Sequence, residues 1–166
     1  MASATRIQAS LIGAALAVLP LAACDRAPTA PLAVPAPSWI ATAPTSVVDG
    51  GATLRLEAVP YRDFMPMSPT DGSPLAVVLR LRTASGAPLP SGLAIESAWV
   101  VYRGLAWTSQ PEPTGAPWGP DVLEFVSRGG PRWGPDVAVD VVARVTGLTG
   151  GPRPIAARQV IVERTD

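Results

Sequence analysis

The stretch that decides the fold is VAVDVVARV, residues 137 to 145. Its odd-numbered positions are all valine or alanine, whereas Asp140 and Arg144 share the even-numbered positions with Ala138 and Val142. Successive side chains of an extended chain point to opposite faces, so a period of two is typical of a β-strand with one face in a core. Residues 137 to 145 are therefore predicted to form such a strand.

Five further stretches are predicted as strands: TLRLEAV at 53–59, LAVVLRLR at 75–82, IESAWVVY at 95–102, residues 121–127, and IAARQVIVER at 155–164. In the third of these, the alternation places Ile95, Ser97, Trp99 and Val101 on one face. Trp99 is then the predicted central aromatic side chain of the core, because it lies in mid-strand among aliphatic neighbours. The last two strands are joined by a Gly- and Pro-rich turn at 147–152, which predicts an antiparallel hairpin.

The spacing of these strands predicts an all-β domain. No stretch of about twelve residues after residue 46 keeps helical spacing without proline or glycine, so we expect at most single turns of helix. Strands separated by turns rich in glycine and proline are typical of an antiparallel sandwich of six to eight strands. We predict an immunoglobulin-like or fibronectin-III-like β-sandwich, and a small β-barrel is the alternative.

An apolar run, LIGAALAVLPLAAC, occupies residues 11 to 24 and ends in the only cysteine. It is too short for a transmembrane helix and has the layout of a secretory signal. The last four residues, Leu21 to Cys24, resemble the lipobox of bacterial lipoproteins. This resemblance implies that residues 1–23 are removed as a signal peptide and that a diacylglyceryl group is attached to the sulfur of Cys24. It also implies lipid anchoring in the bacterial cell envelope, facing the periplasm or the cell exterior.

Residues 24–46 are rich in proline and alanine and precede the predicted domain at 47–166. The prolines, at positions 28, 31, 35, 37 and 44, exclude a helix and favour an extended, semi-rigid tether. From Asp25 to Ser38 such a tether would span about 40 Å. Trp39 and Ile40 interrupt it, and we expect them to begin an edge strand or to pack on the domain rather than to form a docking motif.

Charge and composition exclude several classes of function. Without Arg6, 12 arginines remain against 13 acidic residues, and the chain has neither histidine nor lysine. There is no basic excess for nucleic acid. With no histidine, and with the only thiol assigned to lipid, the usual nucleophile and base pairs are missing. We therefore predict no enzyme activity and no cofactor.

One short motif occurs twice: Trp118-Gly119-Pro120 and, fifteen residues later, Trp133-Gly134-Pro135. Because each copy precedes a predicted strand, we expect two loops that enter neighbouring strands at one end of the domain, with each indole covering an edge or capping the core. The functional alternative is that Trp107, Trp118 and Trp133 form an exposed aromatic platform for a sugar ring, a proline-rich peptide or a partner protein.

The loop from Tyr61 to Pro74 contains further candidate residues. Arg62 and Phe64 are candidate binding residues, and Met65 and Met67 are weak candidates for thioether ligands of Cu(I). The structural alternative is that Phe64, Met65 and Met67 plug one end of the sandwich.

Taken together, the sequence predicts a lipid-anchored cell-envelope protein whose β-sandwich is not catalytic. Its expected partners are the membrane, through the lipid on Cys24, and another envelope protein or peptide. The alternative is a lipoprotein that binds a small ligand, either a carbohydrate or a metal. A concave slot beside tryptophan would favour a ring-shaped ligand, and a flat aromatic surface would favour a protein.

Overall fold

The computed structural model describes residues 32–115 and 119–166, so the predicted signal peptide, Cys24 and Trp118 lie outside the described residues. The elements are β1 (Val34–Pro35), α1 (Ser38–Ala41), β2 (Ser46–Asp49), β3 (Ala52–Asp63), β4 (Leu75–Thr83), β5 (Ala94–Tyr102), β6 (Leu105–Ser109), β7 (Glu112–Pro113), β8 (Val122–Gly130), β9 (Ala138–Thr146), β10 (Arg153–Ile161) and β11 (Glu163–Thr165).

The strands form two sheets that pack on each other. The five-stranded sheet has the order β1-β6-β5-β9-β10, and the six-stranded sheet has the order β11-β3-β4-β8-β7, with β2 also paired to β3. Neighbours are antiparallel except for β11, which runs parallel to β3. The predicted all-β sandwich is confirmed, and neither sheet closes into a barrel. The predicted hairpin of β9 and β10 is also confirmed.

The core lies between the sheets and follows the predicted alternation in β4. Leu75, Val77, Leu79 and Leu81 are all fully buried in it. Their partners across the core include Val141 and Val145 of β9, Ile155 of β10 and the aromatic ring of Trp107 in β6. Phe125 of the neighbouring strand β8 belongs to the same cluster. Burial of these apolar side chains is the main force that holds the two sheets together.

The prediction that Trp99 is the central core aromatic is wrong, because β5 contains a β-bulge. The register of β5 against β9 shifts between Ile95 and Ser97. Ile95 faces the core before the bulge, and Ala98 and Val100 face it afterwards. An extra residue in a strand reverses the facing of every later side chain, so Trp99 lies on the outer face.

Residues 36–45, here called the strap, cross the outer face of the five-stranded sheet. Ile40 and Ala43 are buried there in a second apolar cluster, against one side chain from each of three strands: Ala106, Val142 and Ala156. The strap contains the single turn α1, so the prediction that proline excludes helix from this segment is wrong for these four residues. The expectation that Ile40 packs on the domain is confirmed.

The strap is fastened mainly by Arg158 of β10. Its Nη2 atom donates to the carbonyl oxygens of Ile40, Ala41 and Ala43 at 2.7, 3.2 and 2.9 Å. Its Nη1 atom contacts Asp140 at 3.1 Å. Ile40 and Ala41 belong to the last turn of α1 and Ala43 follows it, so these carbonyls lie where helical hydrogen bonding ends. One guanidinium therefore satisfies the end of the helical turn and ties it to the last long strand.

Candidate functional site

The structure does not assemble the predicted aromatic platform. Trp107 is only 4% exposed and fills the core position predicted for Trp99. Trp133 is half-buried and packs against Tyr102, with ring centroids 5.7 Å apart. The expectation that Trp107 is part of an exposed platform is therefore wrong, and Trp133 caps the core, as the structural alternative proposed.

The two copies of the Trp-Gly-Pro motif do not lie at one end of the domain. Gly119 and Pro120 precede β8, which begins opposite the last residues of β4. Gly134 and Pro135 follow β8, which ends opposite Leu75, the first residue of β4. The strands that they enter, β8 and β9, also belong to different sheets. The prediction of neighbouring loops is wrong because β8 itself separates the two copies.

Arg62 is buried, and its donors are used within the protein. Its Nε atom donates to the carbonyl of Ser73 at 2.9 Å, and its Nη1 atom donates to that of Gly134 at 2.7 Å. The carbonyls of Arg132 and Asp71 are further acceptors. Burial lowers the pKa of the guanidinium, with Arg132 adding to the effect. Arg62 thus joins the loop before β4 to the loop after β8, and its donors are used for this structural role rather than for binding a ligand.

Phe64 packs between two arginines. The guanidinium carbons of Arg62 and Arg164 lie 5.0 and 4.2 Å from the centre of its ring. Gly72 faces the same ring so closely that a Cβ atom there would lie 2.6 Å from it. Phe64 therefore packs within its own loop and against β11, and it is not among the side chains of either apolar cluster.

Met65 and Met67 do not plug the sandwich. Met67 is 97% exposed, and Met65 is about half exposed. Within residues 32–115 and 119–166, no three side chains of His, Cys, Asp or Glu converge in a way that could hold a metal ion. The part of the plug prediction that concerns the two methionines is wrong, because the loop turns outward after Phe64.

A cleft of about 410 Å³ opens on one side of the sandwich, between β6 and β8. It lies where the chain crosses from the five-stranded sheet at Ser109 to the six-stranded sheet at Glu112. We call it the lateral cleft, and its lining residues are Trp107, Thr108, Ser109, Gln110, Glu112, Val126 and Arg128.

Both strands beside the lateral cleft are only partly covered at their outer edges. On β8, β7 pairs with Phe125 and Val126, and residues 127–130 continue beyond it with β4 as their paired strand. On β6, β1 pairs with Leu105 and Ala106, and residues 107–109 continue with β5 as their paired strand. An edge strand presents backbone N–H and C=O groups that another extended chain can pair with. In the part of the chain that the structure describes, the cleft is thus bordered by two short stretches of sheet edge without a second paired strand.

The chemistry of the lateral cleft is mixed. Its base contains the indole of Trp107, which packs so closely on Gly130 that a Cβ atom there would lie 2.8 Å from the ring. The hydroxyls of Ser109 and Ser127 join the two sheets through a hydrogen bond of 2.8 Å. Arg128 is exposed at the rim and, among the described residues, has no ion-pair partner. The cleft therefore offers a cation, hydroxyl groups and backbone polar groups, above an indole that is almost fully buried.

Sequence reasoning missed Arg128, Gln110 and Glu112. The segment at 111–113 reads Pro-Glu-Pro, and proline is typical of edge strands as well as of turns. That signal could have predicted an open edge near β7. Nothing local marks Arg128, because its role depends on where β7 stops.

Comparison of this chain with protein-family models, with curated protein sequences and with solved structures gives no match. The described part of the chain has no helix with the length and apolar character needed to cross a membrane.

Proposed function

We propose that this protein is a lipid-anchored, non-catalytic binding module of the bacterial cell envelope, which holds an extended segment of another envelope protein in the lateral cleft. One observation carries the choice of site: among the described residues, no second strand pairs with residues 107–109 of β6 or 127–130 of β8 on the side of this cleft. The anchoring part is supported by the resemblance of Leu21 to Cys24 to a lipobox.

Strand addition explains how the cleft would recognise a partner. A partner strand placed along residues 127–130 would form main-chain hydrogen bonds to β8, which supply affinity without demanding a particular sequence. Side chains on its inner face would lie in the cleft above the buried Trp107, and an acidic side chain would pair with Arg128. Recognition would then combine backbone pairing with one charge and one apolar contact.

The test is photo-crosslinking in intact cells with a crosslinking amino acid at Gln110, on the rim of the cleft. The matched control carries the same amino acid at Arg55, which is exposed on the outer face of the six-stranded sheet. We expect a discrete crosslinked protein from position 110 and none from position 55. Arg128→Glu should weaken the crosslink about tenfold. Equal products at both positions, or no product at 110, would contradict the proposed site.

The anchoring part has a separate test. Mass spectrometry of the mature N-terminus should give a peptide that begins at Cys24 with acyl chains attached. A mature chain with an unmodified sulfur would refute the anchor and leave the proposal about the cleft standing.

A second candidate function is the binding of a saccharide in the same cleft. It is favoured by the lining, in which hydroxyl, amide, carboxylate and guanidinium groups surround an indole in a volume suited to a small ligand. Binding to an array of bacterial envelope glycans that disappears in Arg128→Glu but not in Arg55→Glu would favour this alternative. No binding to the array, together with a discrete crosslinked protein, would favour the first proposal.

A further inference from the structure

Three exposed apolar side chains lie within eight residues at the beginning of the described chain. Leu32 is 83% exposed, Val34 is 49% exposed and Trp39 is 41% exposed. Val34 pairs with Ala106, whose side chain is part of the apolar cluster on the outer face of the five-stranded sheet. Directly opposite residues project to the same face, so Val34 lies on the outer side of this sheet. Trp39 lies on the same side, because its ring contacts that of Trp99.

The indole of Trp39 is held in its exposed position. It meets Trp99 edge to face, with the ring centroids 4.9 Å apart and the planes at 90°. The next residue, Ile40, is buried, and its carbonyl is bound by Arg158. Edge-to-face aromatic pairs are favourable and fix orientation. The strap therefore presents this indole to the surroundings in a defined orientation.

The length of chain before Leu32 limits where this surface can be. Leu32 lies eight positions after Cys24, and a fully extended chain covers at most about 3.6 Å per position, or about 29 Å in total. The predicted tether ended near residue 46, but the strap occupies residues 36–45 and β1 begins at Val34. A lipid on Cys24 would therefore keep Leu32, Val34 and Trp39 close to the bilayer.

The charges on the same sheet do not oppose a lipid surface. Glu96 is paired with Arg144 at 3.1 Å, and Asp140 is paired with Arg158 at 3.1 Å. The exposed Arg103 lies next to Gly104, whose carbonyl binds the backbone of the strap at Ala36. Paired carboxylates reduce repulsion from anionic headgroups, and an exposed arginine attracts them.

We infer that the surface formed by Leu32, Val34 and Trp39 docks on the lipid surface that holds the anchor, with the indole of Trp39 at the boundary between the headgroups and the acyl chains. Tryptophan favours that region because one side of its ring system is apolar and its N–H can stay hydrated. This inference rests on the proposed acylation of Cys24.

The experiment uses the acylated mature protein in vesicles of phosphatidylethanolamine and phosphatidylglycerol with brominated acyl chains. Bromine quenches only indoles that reach the acyl chains, so we expect quenching in the parent protein and loss of most of it in Trp39→Phe. The control Trp133→Phe, in which the ring at the end of the core is changed, should keep the quenching. Quenching that persists in Trp39→Phe, or parent protein that is not quenched at all, would overturn the inference.

Two further readouts separate this inference from the proposed function. Mass spectrometry of the same sample reports acylation, so an acylated chain without quenching refutes the docking and leaves the anchor intact. Chemical crosslinking in the vesicles reports a second copy on this face. Crosslinks between copies that disappear in Trp39→Phe, together with the absence of quenching, would assign the surface to self-association and refute the lipid contact.

Discussion

The outer faces of the two sheets of the sandwich differ in the side chains that they carry. On the six-stranded sheet, charged side chains of adjacent strands are paired across the surface, with Arg80 at 2.8 Å from Glu124 and Arg82 at 3.0 Å from Glu57. The five-stranded sheet also has ion pairs, Glu96 with Arg144 and Asp140 with Arg158, but its outer face carries in addition an apolar cluster that the strap covers. One face is in contact with water, and the other contains a second, thinner core.

The difference can be read in the strands themselves. In β4, the arginines alternate with fully buried leucines, which is typical of a strand with one wet face. In β9, Val141, Val142 and Ala143 are consecutive and all fully buried. A strand that is apolar on both faces indicates that something covers its outer side. Here that cover is a single segment from the beginning of the domain.

The largest effect is expected from removing the apolar contact of the strap. Ile40→Ala deletes a buried side chain and should lower the free energy of unfolding by about 3 kcal/mol. Urea denaturation followed by circular dichroism measures this change. The matched control is Val48→Ala, since Val48 is 62% exposed, and its effect should stay within about 0.5 kcal/mol. A similar decrease in the free energy of unfolding in the two variants would show that burial of Ile40 under the strap does not stabilise the protein.

A smaller effect is expected from the polar fastening of the strap. Arg158→Lys keeps the positive charge but not the planar group that reaches three carbonyls, and should cost about 1 to 2 kcal/mol. Hydrogen exchange should also become faster at the amides of Thr42 and Ala43, which bond to carbonyls of α1. Unchanged exchange there would mean that burial of Ile40 alone holds the strap.

A still smaller effect on the free energy of unfolding is expected on the solvent-exposed outer face of the six-stranded sheet. Glu57 and Arg82 are both substantially exposed, so a double-mutant cycle with Glu57→Ala and Arg82→Ala should give a coupling below about 0.5 kcal/mol. The coupling should decrease further in high salt. A coupling as large as the loss in Arg158→Lys would contradict the distinction between the two faces.

The smallest effect is expected at the exposed C-terminus. A hydrogen bond from Arg164 lowers the pKa of Asp166 below its ordinary value of 3.8. The stabilisation is therefore present above that value and is lost as the pH falls through the lowered pKa. An NMR titration of the Asp166 carboxyl should give a pKa below 3.8 in the parent protein and a return toward 3.8 in Arg164→Gln. The same pKa in both would show that the pair does not form in solution.

Much of the fold could be predicted because apolar and polar residues alternate within the core strands themselves. Alternation located β4, β9 and the hairpin that follows β9. It failed in β5, since the bulge after Ile95 is set by pairing with β9 and reverses the facing of Trp99. It also could not identify the strap, because the prolines around Trp39 favour an extended tether until a covering surface is available.

The candidate site was less predictable, since its residues act through distant neighbours. Trp107 was identified as aromatic and loop-like, but its burial depends on β8 passing beside it. Arg62 was singled out as a ligand contact, yet carbonyls 9 to 72 positions away use its donors. Arg128 is significant only because β7 ends at Pro113. Such features depend on tertiary arrangement, which no local pattern contains.

The fastening of the strap also sets an order of events during synthesis. Residues 36–45 leave the ribosome early, but the guanidinium that binds Ile40 is 118 positions further along the chain. The amide that pairs with the carbonyl of Pro44 belongs to Ala156, which is equally late. The strap is thus synthesised well before the hairpin of β9 and β10 that holds it in place. A nascent chain that stalls before residue 156 would leave Trp99 and Val142 uncovered and prone to aggregation.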